Sequence, residues 1–237
     1  MMGVLTYSVY RGDEMTSSLW SEVSALFSTE YGYYSEHSPI RPGERIRMGV
    51  KHYEHSYASS DYRIALCRDG ESLIAEAVYK EFITSRGKVA FVVQLVVAGV
   101  YRRRGIASTL LHAIWGFSDY YAWGIVTSNA FTVESLENAT LRRVSPQLLQ
   151  DRAAWIGDEL LPTIDFLDRA TWLVSSEDTC IATGFYTDRK NTSSAASDVT
   201  RRLGALAEGE EWLAVVFHDQ EPEGKSKTKR FIQMIGV

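Results

Sequence analysis

One continuous stretch, Lys88 to Leu111, restricts this chain more than any other: an apolar run passes through a basic turn into a helical pattern. Lys88 to Val97 is apolar apart from Lys88 and Gln94, the pattern of a strand buried on both faces. Gly99-Val100-Tyr101-Arg102-Arg103-Arg104-Gly105 follows. Ile106, Leu110, Leu111 and Ile114 then fall on one face of a helix. The first turn of such a helix presents unpaired backbone N–H groups, and the macrodipole adds positive charge there. Gly105 lets a ligand approach the backbone, small Ala107 does not block it, and the arginines add charge. The combination is a cradle for a pyrophosphate. It is neither a P-loop nor a dinucleotide fingerprint, because GxxxxGK[ST] and GxGxxG are both absent.

The flanking pattern predicts how this stretch is held. Thr16 to Phe27 reads as a helix, with Leu19, Val23, Leu26 and Phe27 at helical spacing. Tyr31 to Gly49, with Pro39 and Pro42, reads as a binding loop, and Val50 to Ser59 as a short helix. Tyr62 to Arg68 and Ser72 to Phe82 form a hairpin about Asp69-Gly70, and Ser85-Arg86-Gly87 turns into the strand Lys88 to Val97. Trp123 to Ser128 reads as a strand and Thr132 to Arg143 as a helix. The order β-β-β-α-β-α implies a mixed α/β sheet with one crossover helix. Beyond it come helical pattern from Gln147 to Ala170, limited by Pro162, and a strand Thr179 to Tyr186. A helix Ala195 to Leu206 and a strand Glu211 to Phe217 follow, and Asp219 to Lys229 reads as a mobile charged tail. No composition shift marks a boundary within the 237 residues, so one elaborated domain is expected. Its motif-bearing core covers about residues 62–143, its C-terminal elaboration 144–218 and its tail 219–237.

Composition narrows the partners. A net charge of -5 opposes non-specific nucleic-acid binding. Cys67 and Cys180 are far apart and outside any CxxC, which predicts reduced thiols rather than a disulfide framework or a zinc site. The first residues lack the basic and apolar regions of a signal peptide, and Val89 to Val100 is too short and too interrupted to span a bilayer. A cytoplasmic protein without a membrane segment is expected; a homo-oligomer stays open.

Arg102-Arg103-Arg104-Gly105-Ile106-Ala107 resembles the [RQ]xxGx[GA] element of the GNAT acyl-CoA-dependent N-acetyltransferases, in the same strand–turn–helix context. Val97, Tyr101 and Leu110-Leu111 fit the element's flanks, and Trp123 to Asn129 resembles the family's next strand. The resemblance covers roughly Tyr62 to Arg143. It implies a GNAT-like fold: a central, mostly antiparallel mixed sheet with splayed strands, flanking helices and here an extended C-terminal part. It implies acetyl-CoA as cosubstrate and no metal. Pantetheine would lie between the splayed strands against Leu95, Val96 and Val97, and the pyrophosphate on the amides of Arg103, Arg104, Gly105, Ile106, Ala107 and Ser108. Arg102 and Arg104 would be charge partners, and Asn129 the polar contact on the far side. The implied reaction is direct acetyl transfer to the primary amine of an unspecified acceptor. The alternative is a CoA- or acyl-CoA-binding sensor without turnover.

The catalytic groups depart from the family pattern. A carboxylate is common near Val93, where this chain has only apolar neighbours and Gln94; the frequent tyrosine aligns with Leu136, and Ala139-Thr140 replaces a Gly-Phe pair. Glu76, inside the apolar Leu73 to Val78, is the candidate base if its strand buries it; on an outward face it is merely solvated. Gln94 would orient substrate or water. Tyr120 and Tyr121 are either a thiolate proton donor or aromatic packing. Tyr31, Tyr33, Tyr34 and Tyr57 with Trp20 either wall an acceptor pocket or fill the core. His52 and His55 share a helical spacing but have no evident third ligand.

Overall fold

A computed structural model describes residues 4–115, 118–168, 170–172, 178–189 and 196–222. Strand β1 (Leu5–Arg11) leads into helix α1 (Ser17–Glu30), and a long loop reaches α2 (Val50–Tyr57). Strands β2 (Tyr62–Asp69), β3 (Ser72–Thr84) and β4 (Gly87–Val97) precede α3 (Ile106–Trp115), β5 (Ala122–Thr127) and α4 (Ala130–Thr140). The remainder holds α5 (Pro146–Asp151), α6 (Ala153–Trp155), β6 (Thr171–Trp172), β7 (Cys180–Ala182), α7 (Ala196–Leu203) and β8 (Glu210–Phe217).

Among the described residues eight strands form one sheet in the order β1-β2-β3-β4-β5-β8-β7-β6. Every neighbouring pair is antiparallel except β4–β5, which is parallel across the crossover helix α3. The fold is therefore mixed α/β with a mostly antiparallel sheet, as the element order implies. One face packs against α3, α4 and the helical segments after residue 144, through residues such as Ile106, Leu110, Leu136, Trp155 and Leu160. The other carries a smaller core in which Trp20, Val23 and Phe27 of α1 and Tyr53 of α2 meet Ile64, Leu66, Val78 and Val96.

Local chemistry explains the elements. The Thr16 hydroxyl accepts from the Leu19 N–H at 3.3 Å and starts α1, whose buried Trp20, Val23, Leu26 and Phe27 recur at helical spacing. Ser145 caps α5 in the same way, with Pro146 in its first turn. The helical pattern from Gln147 to Ala170 is not one helix. It breaks into α5, α6, a π turn at Ile156–Leu160 and a 3-10 turn at Leu161–Thr163. Pro162 carries no N–H to continue the ladder. The expected strand Thr179 to Tyr186 shrinks to Cys180–Ala182, because Gly184 turns the chain at a φ of 71°. Most of the expected tail lies outside the described residues.

The β4–β5 pair matters most. Its register runs only from Val89–Ala122 to Val92–Ile125, although both strands continue past that point. At the same level β4 bulges: Tyr79 faces Val92 and Val78 faces Gln94, so Val93 is left over. A bulge bends and twists its strand, here away from β5. The burial of β4 records the change. Val89 to Val92 are all buried, and from Val93 to Val97 burial alternates.

Candidate active site

The splay opens a cleft of about 990 Å³. Val93 to Val97 form one wall and Ile125 to Asn129 the other, with Thr29 to Tyr33, from the end of α1 into the loop after it, closing a third side. Of the residues assigned to the cosubstrate from sequence, Leu95, Val96, Val97, Arg102, Arg103, Gly105, Ile106, Ala107, Ser108 and Asn129 all line this cleft. Arg104 does not line it. Its guanidinium lies 5.8 Å from the centre of the Tyr101 ring.

The mouth is built by the turn between β4 and α3. Arg103 and Gly105 have φ of 60° and 78°, so two left-handed residues flank Arg104. Such alternation turns successive N–H groups to one side and forms an anion-binding concavity. The first turn of α3 adds its own unpaired donors. The turn is anchored from below: the Gly99 N–H donates to Glu30 Oε2 at 2.8 Å, and Arg102 Nε donates to the Val97 carbonyl at 2.8 Å. Arg102 also reaches the Glu30 carbonyl and carboxylate, the latter at 3.5 Å. The Arg102 guanidinium thus ties the turn to the end of α1, while Arg103 stands exposed at the cleft. On the far wall, Asn129 caps α4, its side chain accepting from the Phe131 N–H at 3.0 Å.

Glu76 is fully buried, so the solvated alternative for it does not apply. It pairs with Leu66 and Val96 across the sheet and sits against the Tyr53 hydroxyl, which donates to Oε1 at 3.5 Å. Oε2 has no partner among the described residues, and burial pushes the carboxyl up to about 8. Glu76 is not among the residues lining the cleft. Gln94 is buried and does line it; its amide donates to Tyr57 Oη and Met48 Sδ, each at 3.3 Å.

The tyrosines divide. Tyr31 and Tyr33 line the cleft, whereas Trp20 belongs to the core beneath it. Tyr120 bonds Glu81, and the Tyr121 hydroxyl accepts from Arg86 and Arg152 at 3.3 Å each, neither tyrosine reaching the cleft. His52 and His55 are exposed on α2. Among the described residues no group of three or more His, Cys, Asp or Glu is placed to hold a metal ion, and no helix is long and apolar enough to cross a membrane.

A buried carboxylate of the cleft escapes the sequence reading. Glu211, at the start of β8, is buried and lines the cleft. Its carboxylate accepts from Thr183 Oγ1 at 2.8 Å and from the Ser128 N–H. Burial raises it to about 7, against the opposing effects of the Thr183 bond, Arg189 and the Ser128 bond. A related signal is in the sequence: Glu76 stands out inside an apolar strand, whereas Glu211 immediately precedes one, Trp212 to Phe217.

A sheet splayed beside its parallel pair, with a strand, a basic turn and a helix at the cleft mouth, is the arrangement that the GNAT resemblance implies. Residues 20–120 match the family model described as Acetyltransferase (GNAT) family, so the GNAT resemblance of this chain rests on both motif and family model. None of the curated proteins matches the chain. Among solved structures it is similar to Arabidopsis thaliana NAA60 in complex with acetyl-CoA, at 13% identity and a TM-score of 0.48, covering 92% of this chain and 100% of that one. It is also similar to an aminoglycoside acetyltransferase from an uncultured soil metagenomic sample, at 10% identity and a TM-score of 0.43, covering 57% and 86% of the two chains. The ribosomal-protein-S18-alanine N-acetyltransferase of Escherichia coli gives 11% identity and a TM-score of 0.39, covering 56% and 75%. Likeness at this level says nothing of an acceptor.

Proposed function

We propose that this chain transfers an acetyl group from acetyl-CoA directly to a primary amine, as one GNAT-like domain spanning its length. The observation that carries the reading is the end of the β4–β5 ladder at Val92–Ile125, with both strands running on into a cleft whose mouth is an amide-lined turn. The pantetheine arm would run between the strands, its amides bonding backbone groups of Leu95, Val96 and Val97 that β5 leaves unpaired. The diphosphate would rest on the amides from Arg103 to Ser108, and Asn129 would face the arm from the other wall. Arg102 would act by holding the turn in shape. Arg103 and Arg104 would supply field.

The chemistry sets a requirement. A lysine-like amine is protonated by three to four pH units' margin at neutral pH, so exposing its lone pair costs about 4–5 kcal/mol. A base at the cleft removes that deficit. After attack, a β4 backbone N–H near Val97 would stabilise the oxyanion. The attack needs no covalent enzyme intermediate.

Two measurements test this. Calorimetric titration with CoA should show at least tenfold weaker binding when Arg103 and Arg104 are both replaced by Glu; unchanged affinity sinks the cradle. A thiol-release assay with acetyl-CoA and a panel of primary amines should show amine-dependent release. Tight CoA binding without any release would instead support the sensor.

A further inference from the structure

Glu211 is buried at the cleft wall with only a hydroxyl and a backbone amide bonded to its carboxylate, from Thr183 and Ser128. It stands one residue before Trp212, whose partner Thr127 ends the β5–β8 ladder, so it lies beside Ser128 at the far wall of the splay. Side chains alternate along a strand, so Glu211 and Trp212 point to opposite faces. Trp212 Nε1 donates to the Gly204 carbonyl at 2.8 Å, whereas the Glu211 carboxylate faces the cleft. The groups that face it come from several elements. They are Thr183 after β7, the Ser128 amide after β5, Arg189 and, from the end of α1, Tyr31. Arg189 gives its guanidinium to the carbonyls of Leu206, Ala207 and Glu210, at 3.0, 2.8 and 2.8 Å. It acts on Glu211 through its field. A carboxylate kept in such a place is costly, and clefts are where such groups are used.

We propose that Glu211 is the general base of the transfer, receiving the proton of a protonated primary amine at the β5–β8 end of the cleft. This rests on the acetyl-transfer reading above. The ammonium gives one proton to the Glu211 carboxylate, and the freed lone pair forms the C–N bond at the thioester carbonyl. The tetrahedral oxyanion collapses, the C–S bond breaks, and sulfur leaves with the bonding pair as thiolate. The second nitrogen proton passes to that thiolate, giving amide and CoA thiol. Glu211 returns its proton to solvent, which leaves one proton released per turnover. The raised affinity of Glu211 for a proton, near 7, suits both halves of this cycle.

The test separates base catalysis from architecture. Thiol release from acetyl-CoA at pH 7 is followed with n-butylamine, which arrives protonated, and with hydroxylamine, which arrives neutral. Glu211→Gln should slow the n-butylamine reaction about 100-fold or more and the hydroxylamine reaction by less than about threefold. Equal loss with both amines, or no loss, overturns the assignment. A selective loss in Glu76→Gln in place of Glu211→Gln hands the role to Glu76 and overturns it too. Wild-type protein that releases no thiol with either amine sinks the transfer reading itself, and Glu211 with it. Thr183→Val gives an arm that keeps the carboxylate. Losing a bond that favours the ionised form, it should move the acid limb of the wild-type kcat/KM profile to higher pH while the plateau stays; an unmoved limb counts against Glu211.

Discussion

Arg103 and Gly105 do different work in the same backbone conformation. Both have positive φ, 60° and 78°. Glycine adopts that region freely, while an arginine held there costs on the order of 1–2 kcal/mol. The anchors at Glu30 and Val97 sustain the strained turn. Gly105 also keeps its N–H and Cα open to an incoming oxyanion. Gly105→Ala should therefore cost about 1 kcal/mol of stability but weaken CoA by tenfold or more. Chemical denaturation and calorimetry on one preparation check the two effects separately. If affinity falls only as far as stability does, the turn is a connector and the cradle is lost.

Among elements, β5 and α4 hold the far wall. Gly124 of β5 pairs with Phe91, and a Cβ there would come within 2.6 and 2.7 Å of the Phe91 ring and 3.4 Å of Val215. Gly124→Ala should destabilise by about 1–3 kcal/mol through overpacking, read by thermal unfolding. An unchanged midpoint would mean that the β4–β5 pair is looser than its register implies. Behind α4, buried Glu137 is held by Arg202 of α7 at 3.0 and 3.2 Å and by the Val144 N–H at 3.0 Å. Burial raises its proton affinity and Arg202 opposes the rise. Arg202→Ala leaves that carboxylate poorly paired and should cost about 3–5 kcal/mol in denaturant unfolding, whereas a loss below about 1 would show the pair to be ornamental. The elements flanking the motif were legible because their periodicities are clean, from Tyr62 to Arg143. β1 was not: as an edge strand it alternates only loosely and leaves Val9 45% exposed. Nor was the break-up of Gln147 to Ala170, where apolar periodicity persists through backbone that Pro162 interrupts. The cleft mouth could be read because backbone donors follow from strand, turn and helix. The proposed base could not: Glu76 and Glu211 are both buried, and which of them lines the cleft depends on the neighbouring strands, with β8 inserted between β5 and β7 from far along the chain.

For the whole molecule, buried carboxylates set how stability responds to pH. Glu76 is held near 8 and Glu211 near 7 when folded, both through burial, against an ordinary value of about 4.3 in the unfolded chain. The folded state therefore holds these protons more tightly than the unfolded state does. Stability from each group is fully present below about pH 4.3 and is lost as pH climbs to its folded value, at about 1.4 kcal/mol per unit per group. Glu76→Gln removes one titration while keeping an oxygen for the Tyr53 hydroxyl. Its melting temperature should match wild type near pH 4, exceed it progressively from there to pH 8, and run parallel above. Glu211→Gln should show the same divergence, ending about one pH unit earlier. The double variant should add the two gains, since the groups lie on different strands with separate hydrogen-bond partners. Melting curves for Glu76→Gln that track wild type from pH 4 to 9 would mean that Glu76 is ionised in the folded protein, with water or a cation beside Oε2.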